Sequence, residues 1–259
     1  MVEEWVAWAE QQIQPNGKPY SDGALKKWWR PLAQMLRDLS ADHDISDPTR
    51  RIRPPEAPEV PLVREQGTLS IEQVEQLLSD AKAMTPDRYG EIVVLATTGM
   101  RAGEMFGLKW DAVDFERGEI TIRRSVTRGD IRETTKTKVW RHVPMAPLLA
   151  EVLRDHRREQ LETQGIGLRS GLVFPSTVGT PRTPGSLQKA FNALQEAHDY
   201  GVKLGPQVLR RTFNTLLLAS QVDQITIRAM MGHTSEAMTT RYAGVRMDTK
   251  RAAVVDLFG

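Results

Sequence analysis

The chain has 259 residues, of which 40% are apolar and 26% charged, with a formal charge of +2 and no cysteine. That length admits one large domain, or a small domain joined to a larger one. No apolar run approaches the roughly 20 residues that span a bilayer, and no basic-then-apolar leader opens the chain. The lack of cysteine excludes disulfides, thiolate–zinc sites and cysteine nucleophiles, and it is compatible with the cytoplasm. A charge this small does not signal nucleic-acid binding by itself, so the argument rests on where the charges fall.

In chain order, Val2, Trp5, Val6, Ala9 and Ile13 recur at helical spacing. So do Leu25, Trp28, Trp29, Leu32, Met35, Leu36 and Leu39, with Asn16-Gly17 and Pro19 punctuating the interval. Lys26, Lys27 and Arg30 sit off the apolar stripe of the second helix, where they can meet a polyanion. Two helices of this length bury little surface, so residues 1–46 read as a partial helical domain. Residues 47–67, "DPTRRIRPPEAPEVPLVREQG", are rich in Pro and Arg without periodicity and read as an extended linker.

A larger domain is expected over residues 68–259. It opens with Ser70 as N-cap and with Ile71, Val74, Leu77, Leu78 and Ala81 on one helical face. "DRYGEIVVLATTGM" and "AGEMFGLKW" read as two more helices. "GEITIRRSVTRGDIRETTKTKVWRHVPM" has strand chemistry, with Arg128-Gly129-Asp130 as a turn. Helical patterns resume at 146–163, 183–198, 206–220, 223–232 and 235–243, interrupted by a short apolar strand, "GLVF". The tail "DTKRAAVVDLFG" forms a short amphipathic helix. The fold class is therefore mostly α (α+β), a helical domain with a small antiparallel β-sheet.

Four segments carry residues suited to chemistry. In "TTGMRAGEMFGLKW", Gly99 and Gly103 permit a tight backbone around Arg101, and Glu104 can brace its guanidinium. A braced Arg at a helix N-terminus suits a phosphate, although an Arg–Glu pair is also a common surface feature. Between Arg123 and Arg141 lie five Arg and two Lys against Asp130 and Glu133. Lys136 and Lys138 share one face of a strand, so this hairpin can follow a duplex groove or serve as a charge-protected edge. In "GPQVLRRTFNTLLL", Gln207 and Arg210 share a helix face while Leu209, Phe213 and Leu216 turn to a core. "MGHTSEAMTTRYAGV" places His233 nine residues before Tyr242. Taken singly, that His is a helix-end cap and that Tyr a packed aromatic.

Their order along the chain resembles the tyrosine recombinase family of the phage-integrase type, over residues 68–258 and more weakly over 1–60. "TGMRAGEMFGLKW" resembles the family's first box, which implies Arg101 as the first catalytic arginine. "TKTKVWRHVP" resembles the β-hairpin lysine segment, and the spacing to Pro144 favours Lys136 over Lys138. "QVLRRTF" resembles the second box, with Arg210 as the second arginine, and "MGHTSEAMTTRYA" supplies His233 and Tyr242. The second box usually begins with His, and here Gln207 stands in that place. Gln can hydrogen-bond a phosphate oxygen but cannot exchange a proton near neutral pH.

The resemblance implies that Tyr242 attacks a phosphodiester to form a 3′-phosphotyrosyl link. Arg101 and Arg210 would clamp the non-bridging oxygens, Lys136 would protonate the leaving 5′-hydroxyl, and His233 would hydrogen-bond the phosphate or the tyrosine. Glu104 would orient Arg101 or His233. The covalent link keeps the phosphodiester energy, so no cofactor, ATP or metal is expected, in line with the absence of a P-loop signature. Lys26, Lys27, Arg30, Arg123, Arg124, Arg128, Lys138, Arg141 and Arg211 are expected to contact DNA.

The implied partners are double-stranded DNA attachment sites, a homotetramer on paired sites and accessory DNA-bending proteins, with no membrane, in a cytoplasmic, nucleoid-associated setting. Residues 1–46 would supply part of a core-binding domain whose family form is a cluster of four or more helices. The C-terminal helix would pack into a neighbouring protomer. Two other readings share some of these features. A non-enzymatic regulator would use residues 223–245 as a helix-turn-helix, and a type IB topoisomerase would share the transesterification without needing paired sites.

Overall fold

The computed structural model describes residues 1–58, 67–133, 140–163, 166–232 and 247–258. The chain divides into two compact units, Met1–Glu65 and Gln66–Gly259.

In the first unit, helix α1 (Val2–Glu10) and helix α2 (Asp22–Asp42) meet through their indoles. Trp5 lies 6.0 Å from Trp29, Trp8 lies 6.4 Å from Trp28, and Tyr20 meets Trp28 edge-on at 4.6 Å. Such pairs contribute about 0.5–1.5 kcal/mol each beyond burial. That matters in a unit whose buried apolar side chains include small ones, Ala9 and Ala33, beside Leu25 and Trp29. Ile13, expected on the first helix, instead bridges to Pro19 across a turn in which Gly17 takes φ 78°. The first part of the expected linker is fastened to these helices. Glu56 N donates to Glu10 at 3.0 Å and Ala57 N to Asp22 at 2.6 Å. The Pro-rich stretch has no helical period, yet its free backbone donors still find carboxylates.

The second unit is built around a helix with eight consecutive buried residues. Helix α3 (Ile71–Met84) starts at Ser70, whose Oγ accepts from Gln73 N while Gln73 Oε1 accepts from Ser70 N. This reciprocal cap satisfies two otherwise orphan donors. Helix α4 (Pro86–Thr98) follows at once, and Glu91 to Thr98 are all buried in it. Helix α5 (Ala102–Phe106) is short.

The sheet has the order β1 (Val113–Asp114), β2 (Glu119–Ile122), β5 (Arg141–Pro144), all antiparallel, with Ile120 opposite Val143. A separate hairpin, β3 (Ser125–Thr127) and β4 (Asp130–Arg132), turns at Arg128 and Gly129 with φ of 55° and 92°. Two positive φ values are what a two-residue hairpin turn requires. Helix α5 lies directly on β3: a Cβ at Gly103 would stand 2.8 Å from Val126 O.

Helices α6 (Pro147–Glu162), α7 (Ile166–Ser170), α8 (Gln188–Ala197), α9 (Pro206–Ala219), α10 (Gln224–Met231) and α11 (Met247–Phe258) complete the unit. Helices α3, α6 and α9 pack on α4.

Two expectations change. The helix expected over "AGEMFGLKW" ends at Phe106, because the chain then pairs elsewhere: Trp110 N donates to Gly171 O and Val173 N to Leu108 O. "GLVF" is correspondingly a single bridge between Lys109 and Leu172 rather than a strand of the sheet. In the single chain the C-terminal helix lies on its own domain. Ala253 and Val254 are buried, Phe258 stacks on Phe213 at 6.2 Å, and Lys250 Nζ donates to His142 O at 3.2 Å. The helix expected at 235–243 lies outside the described residues. None of the described helices is long and apolar enough to cross a membrane.

Candidate active site

Arg101 stands between α4 and α5 because Gly99 ends α4 in the left-handed conformation, φ 60°. Its own N–H donates to Glu104 Oε2 at 2.9 Å, and its Nη1 reaches Glu104 Oε1 at 3.1 Å. Glu104 therefore caps the first turn of α5 and braces the Arg101 side chain together. Arg101 keeps 35% of its side chain exposed, whereas Glu104 keeps 3%.

A third partner occupies the same carboxylate. Arg141 Nη1 donates to Glu104 Oε1 at 3.1 Å and Nη2 to Oε2 at 2.6 Å, while Nε donates to Met230 O at 2.8 Å. Burial alone would push the Glu104 pKa up. The Arg141 charge and hydrogen bonds, with those of Arg101, outweigh it and hold the carboxyl at about 2.

Arg210 lies on the buried face of α9 with 3% of its surface exposed. Its two Nη atoms donate to Gly99 O and Met231 O. Burial, then the nearby charges of Arg101 and Arg141, lower its pKa to about 10, which leaves it cationic at neutral pH. Helix α10 is capped at its start by Asp223, which accepts from Ile225 N and Thr226 N, and ends at Gly232 with φ 64°. Its last two carbonyls, Met230 and Met231, are thus each held by a guanidinium.

Segments far apart in sequence meet here: the Gly99–Glu104 turn, the head of β5, the middle of α9 and the end of α10. Among the described residues, the three guanidiniums of this cluster share one carboxylate, which leaves the cluster with a net charge of +2. Such an arrangement is suited to holding an anion whose charge grows during reaction.

Gln207, exposed on the first turn of α9, lines a cleft of about 450 Å³ with Thr68, Arg210, Asn214, Arg228 and Met231. Lys136, Lys138, His233 and Tyr242 lie outside the described residues.

Several arginines expected on DNA are used internally. Arg141 is buried and bound by Glu104 and Met230. Arg124 spends its nitrogens on Asp111, at 2.6 and 2.9 Å, and on Glu133, at 2.9 Å. Arg123 also reaches Asp111, at 2.7 Å, and its guanidinium lies 5.9 Å from the ring of Trp140. Arg211 donates to Gly67 O and fixes the start of the unit. Lys27, Arg30 and Arg128 are exposed, and Lys26 lies 3.8 Å from Asp22.

The role of Arg141 was the residue-level reading missed. A signal existed in strand parity: Arg141 and Val143 are two apart, so they share a face, and Val143 is apolar.

Residues 68–248 match the phage integrase family. The chain is 28% identical over 231 residues to a tyrosine recombinase XerC-like protein of Caldanaerobacter subterraneus subsp. tengcongensis, covering 80% of this chain and 58% of that relative. It is 27% identical to tyrosine recombinase XerA of Thermococcus kodakarensis, over 93% of this chain and 77% of the relative. It is 31% identical to the transposase from transposon Tn916 of Enterococcus faecalis, over 67% of this chain and 46% of the relative. The chain thus spans little more than half of the first of these proteins and less than half of the transposase. The fold is similar to that of the Tn1549 transposon integrase solved with circular intermediate DNA, with a TM-score of 0.66 and 20% identity over 96% of this chain and 82% of the other. The match covers well over half of the chain, in the unit that holds the arginine cluster: the chain belongs to the phage integrase family, the tyrosine recombinases.

Proposed function

We propose that this protein is a site-specific DNA recombinase that cleaves and rejoins strands through a 3′-phosphotyrosyl intermediate on Tyr242. The observation that supports it most is the arginine cluster around Glu104, which carries a net charge of +2 among the described residues. A phosphodiester under in-line attack gathers charge on its non-bridging oxygens, and fixed guanidiniums stabilise that charge without reorganising. Arg101 and Arg210 hold those oxygens. Among the described residues, Arg210 gives two of its five N–H groups to carbonyls, which leaves donors for a phosphate.

Tyr242 is the nucleophile. Its ordinary pKa near 10 makes a cationic site necessary for attack. Lys136 gives its proton to the leaving 5′-hydroxyl, and the same steps reversed rejoin the strand. His233 hydrogen-bonds the phosphate or the tyrosine. Gln207, on the first turn of α9, hydrogen-bonds a phosphate oxygen without taking up a proton.

The partners are duplex attachment sites, with four protomers on two paired sites and accessory DNA-bending proteins, and the first unit adds Lys26, Lys27 and Arg30 to the DNA contact. Relatives named as recombinases and as a transposon's transposase support this reading. A covalent protein–DNA band on a nicked attachment-site duplex tests it. Exchange that needs two sites, rather than relaxation of any supercoiled circle, separates it from a topoisomerase.

A further inference from the structure

Arg141 does more than neutralise Glu104. Its three nitrogens are all engaged: two on the Glu104 carboxylate at 3.1 and 2.6 Å, and Nε on Met230 O at 2.8 Å. Glu104 in turn holds both the backbone and the side chain of Arg101. Met230 is the last residue but one of α10, so its carbonyl is among those that a helix leaves without an internal partner. The next carbonyl, Met231, is held by Arg210. The backbone leaves α10 pressed against the Arg141 guanidinium: a Cβ at Gly232 would stand 3.0 Å from Arg141 Nη1. The next residue is His233, and Tyr242 follows nine residues later. Arg141 also heads β5, into which the segment bearing Lys136 runs.

We propose that Arg141 is a positioning residue for strand cleavage: it locks the Arg101–Glu104 turn to the end of α10, whose last carbonyl is held by Arg210, so that the Arg101 and Arg210 guanidiniums are set in one register. The proposal rests on the recombinase reading. A planar guanidinium is needed because it offers three nitrogens in fixed directions to three acceptor atoms, two on Glu104 and one on Met230. A lysine would neutralise Glu104 as a point charge but could not hold Met230 O and both carboxylate oxygens together. A purely electrostatic role therefore predicts that Arg141→Lys is active, and a positioning role predicts that it is not.

The test compares the full-length wild type with Arg141→Lys. Three readouts are taken: affinity for a single attachment site, the rate of covalent adduct formation at saturating DNA, and thermal stability. The expected result is a fall in rate on the order of a hundredfold, the size of effect that a small misplacement of reacting groups produces, with affinity unchanged within about twofold. A 5′-bridging phosphorothiolate substrate, whose leaving group needs no proton, should rescue Lys136→Ala but leave Arg141→Lys slow. If Arg141→Lys does not fold, the double variant Glu104→Gln with Arg141→Met removes both charges at once and should fold, bind DNA and still cleave slowly. Wild-type cleavage by either folded variant overturns the proposal, as does a rate loss matched by an equal loss of DNA affinity. A wild-type chain that forms no adduct on any attachment-site duplex overturns the recombinase reading, and the proposal with it.

Discussion

Arg141 Nη2 stands 2.6 Å from Glu104 Oε2, with 6% and 3% of the two side chains exposed. The pair joins the head of β5 to the first turn of α5. Two buried charges are costly to desolvate, and they persist here because every nitrogen of the Arg141 guanidinium and both Glu104 oxygens have partners. Removing Glu104 leaves the buried Arg141 charged and without its carboxylate.

Glu104→Gln should therefore destabilise the larger unit by about 3–5 kcal/mol at neutral pH, the usual cost of breaking a buried pair from one side. The pH dependence follows from the same pair. The Glu104 pKa is held at about 2, below the ordinary 4.5, because the Arg141 and Arg101 interactions outweigh burial. Its contribution is thus fully present above about 4.5 and is lost as pH falls toward 2, on the order of 3 kcal/mol in all. Urea melts at pH 6 and pH 3 check this. The gap in stability between wild type and Glu104→Gln should narrow at the lower pH, and a gap that does not change contradicts the assignment.

Gly99→Ala should lower both stability and cleavage. Gly99 has φ 60°, and a Cβ there would stand 2.5 Å from Phe213 Cδ1 and 2.9 Å from Met231 Sδ. Left-handed strain and overpacking together should cost about 2–4 kcal/mol. Gly99 O is also an acceptor for Arg210, so the guanidinium should shift with the turn. A thermal melt and an adduct assay on the same preparation check both effects.

The docked tail gives a third expectation. Deleting residues 248–259 removes Lys250 from His142 O, Val254 from the core and Phe258 from Phe213. Full burial of a side chain such as Val254 is worth about 1.5–3 kcal/mol, and the half-buried Phe258 adds a part of that. The truncated chain should melt well below the intact one in dilute solution. A tail that served only a neighbouring protomer would leave the dilute melting temperature unchanged.

Gln207→His tests the departure in the second box. Position 207 lies one turn from Arg210 on the rim of the same cleft. A histidine there should raise the cleavage rate or add a titration between about pH 6 and 7 to its pH profile. An unaltered profile would mean that hydrogen bonding alone suffices at this position.

Much of the fold was legible because its signals are local. Ser70 as N-cap and the apolar face through Ala81 mark α3, and Arg128-Gly129-Asp130 marks the turn between β3 and β4. The ordered boxes pointed to Arg101 and Arg210, which the fold brings to one cluster. What stayed hidden was set by partners distant in sequence. The acceptors of Arg210 are backbone carbonyls, which carry no residue identity, although Gly99 marked the turn that presents one of them. Arg141 was assigned to DNA because a hairpin rich in arginine was treated as one charged surface, when strand parity already put it on the Val143 face. The apolar stripe of the tail says that it must pack, but not on which copy of the chain. In the first unit, the carboxylates of Glu10 and Asp22 that hold residues 56 and 57 lie more than 30 residues away.

The central claim is that Tyr242 becomes covalently joined to DNA. The direct measurement is incubation of wild type and Tyr242→Phe with a nicked suicide duplex carrying an attachment site, followed by denaturing electrophoresis with labelled DNA. Wild type should give a protein–DNA band that survives denaturation and maps by peptide mass to Tyr242. Tyr242→Phe should give none while binding the duplex with nearly the same affinity, since one phenolic oxygen is a small part of the phosphate contact. A covalent band with the Phe variant, or a wild-type adduct mapping to another residue, would contradict the account.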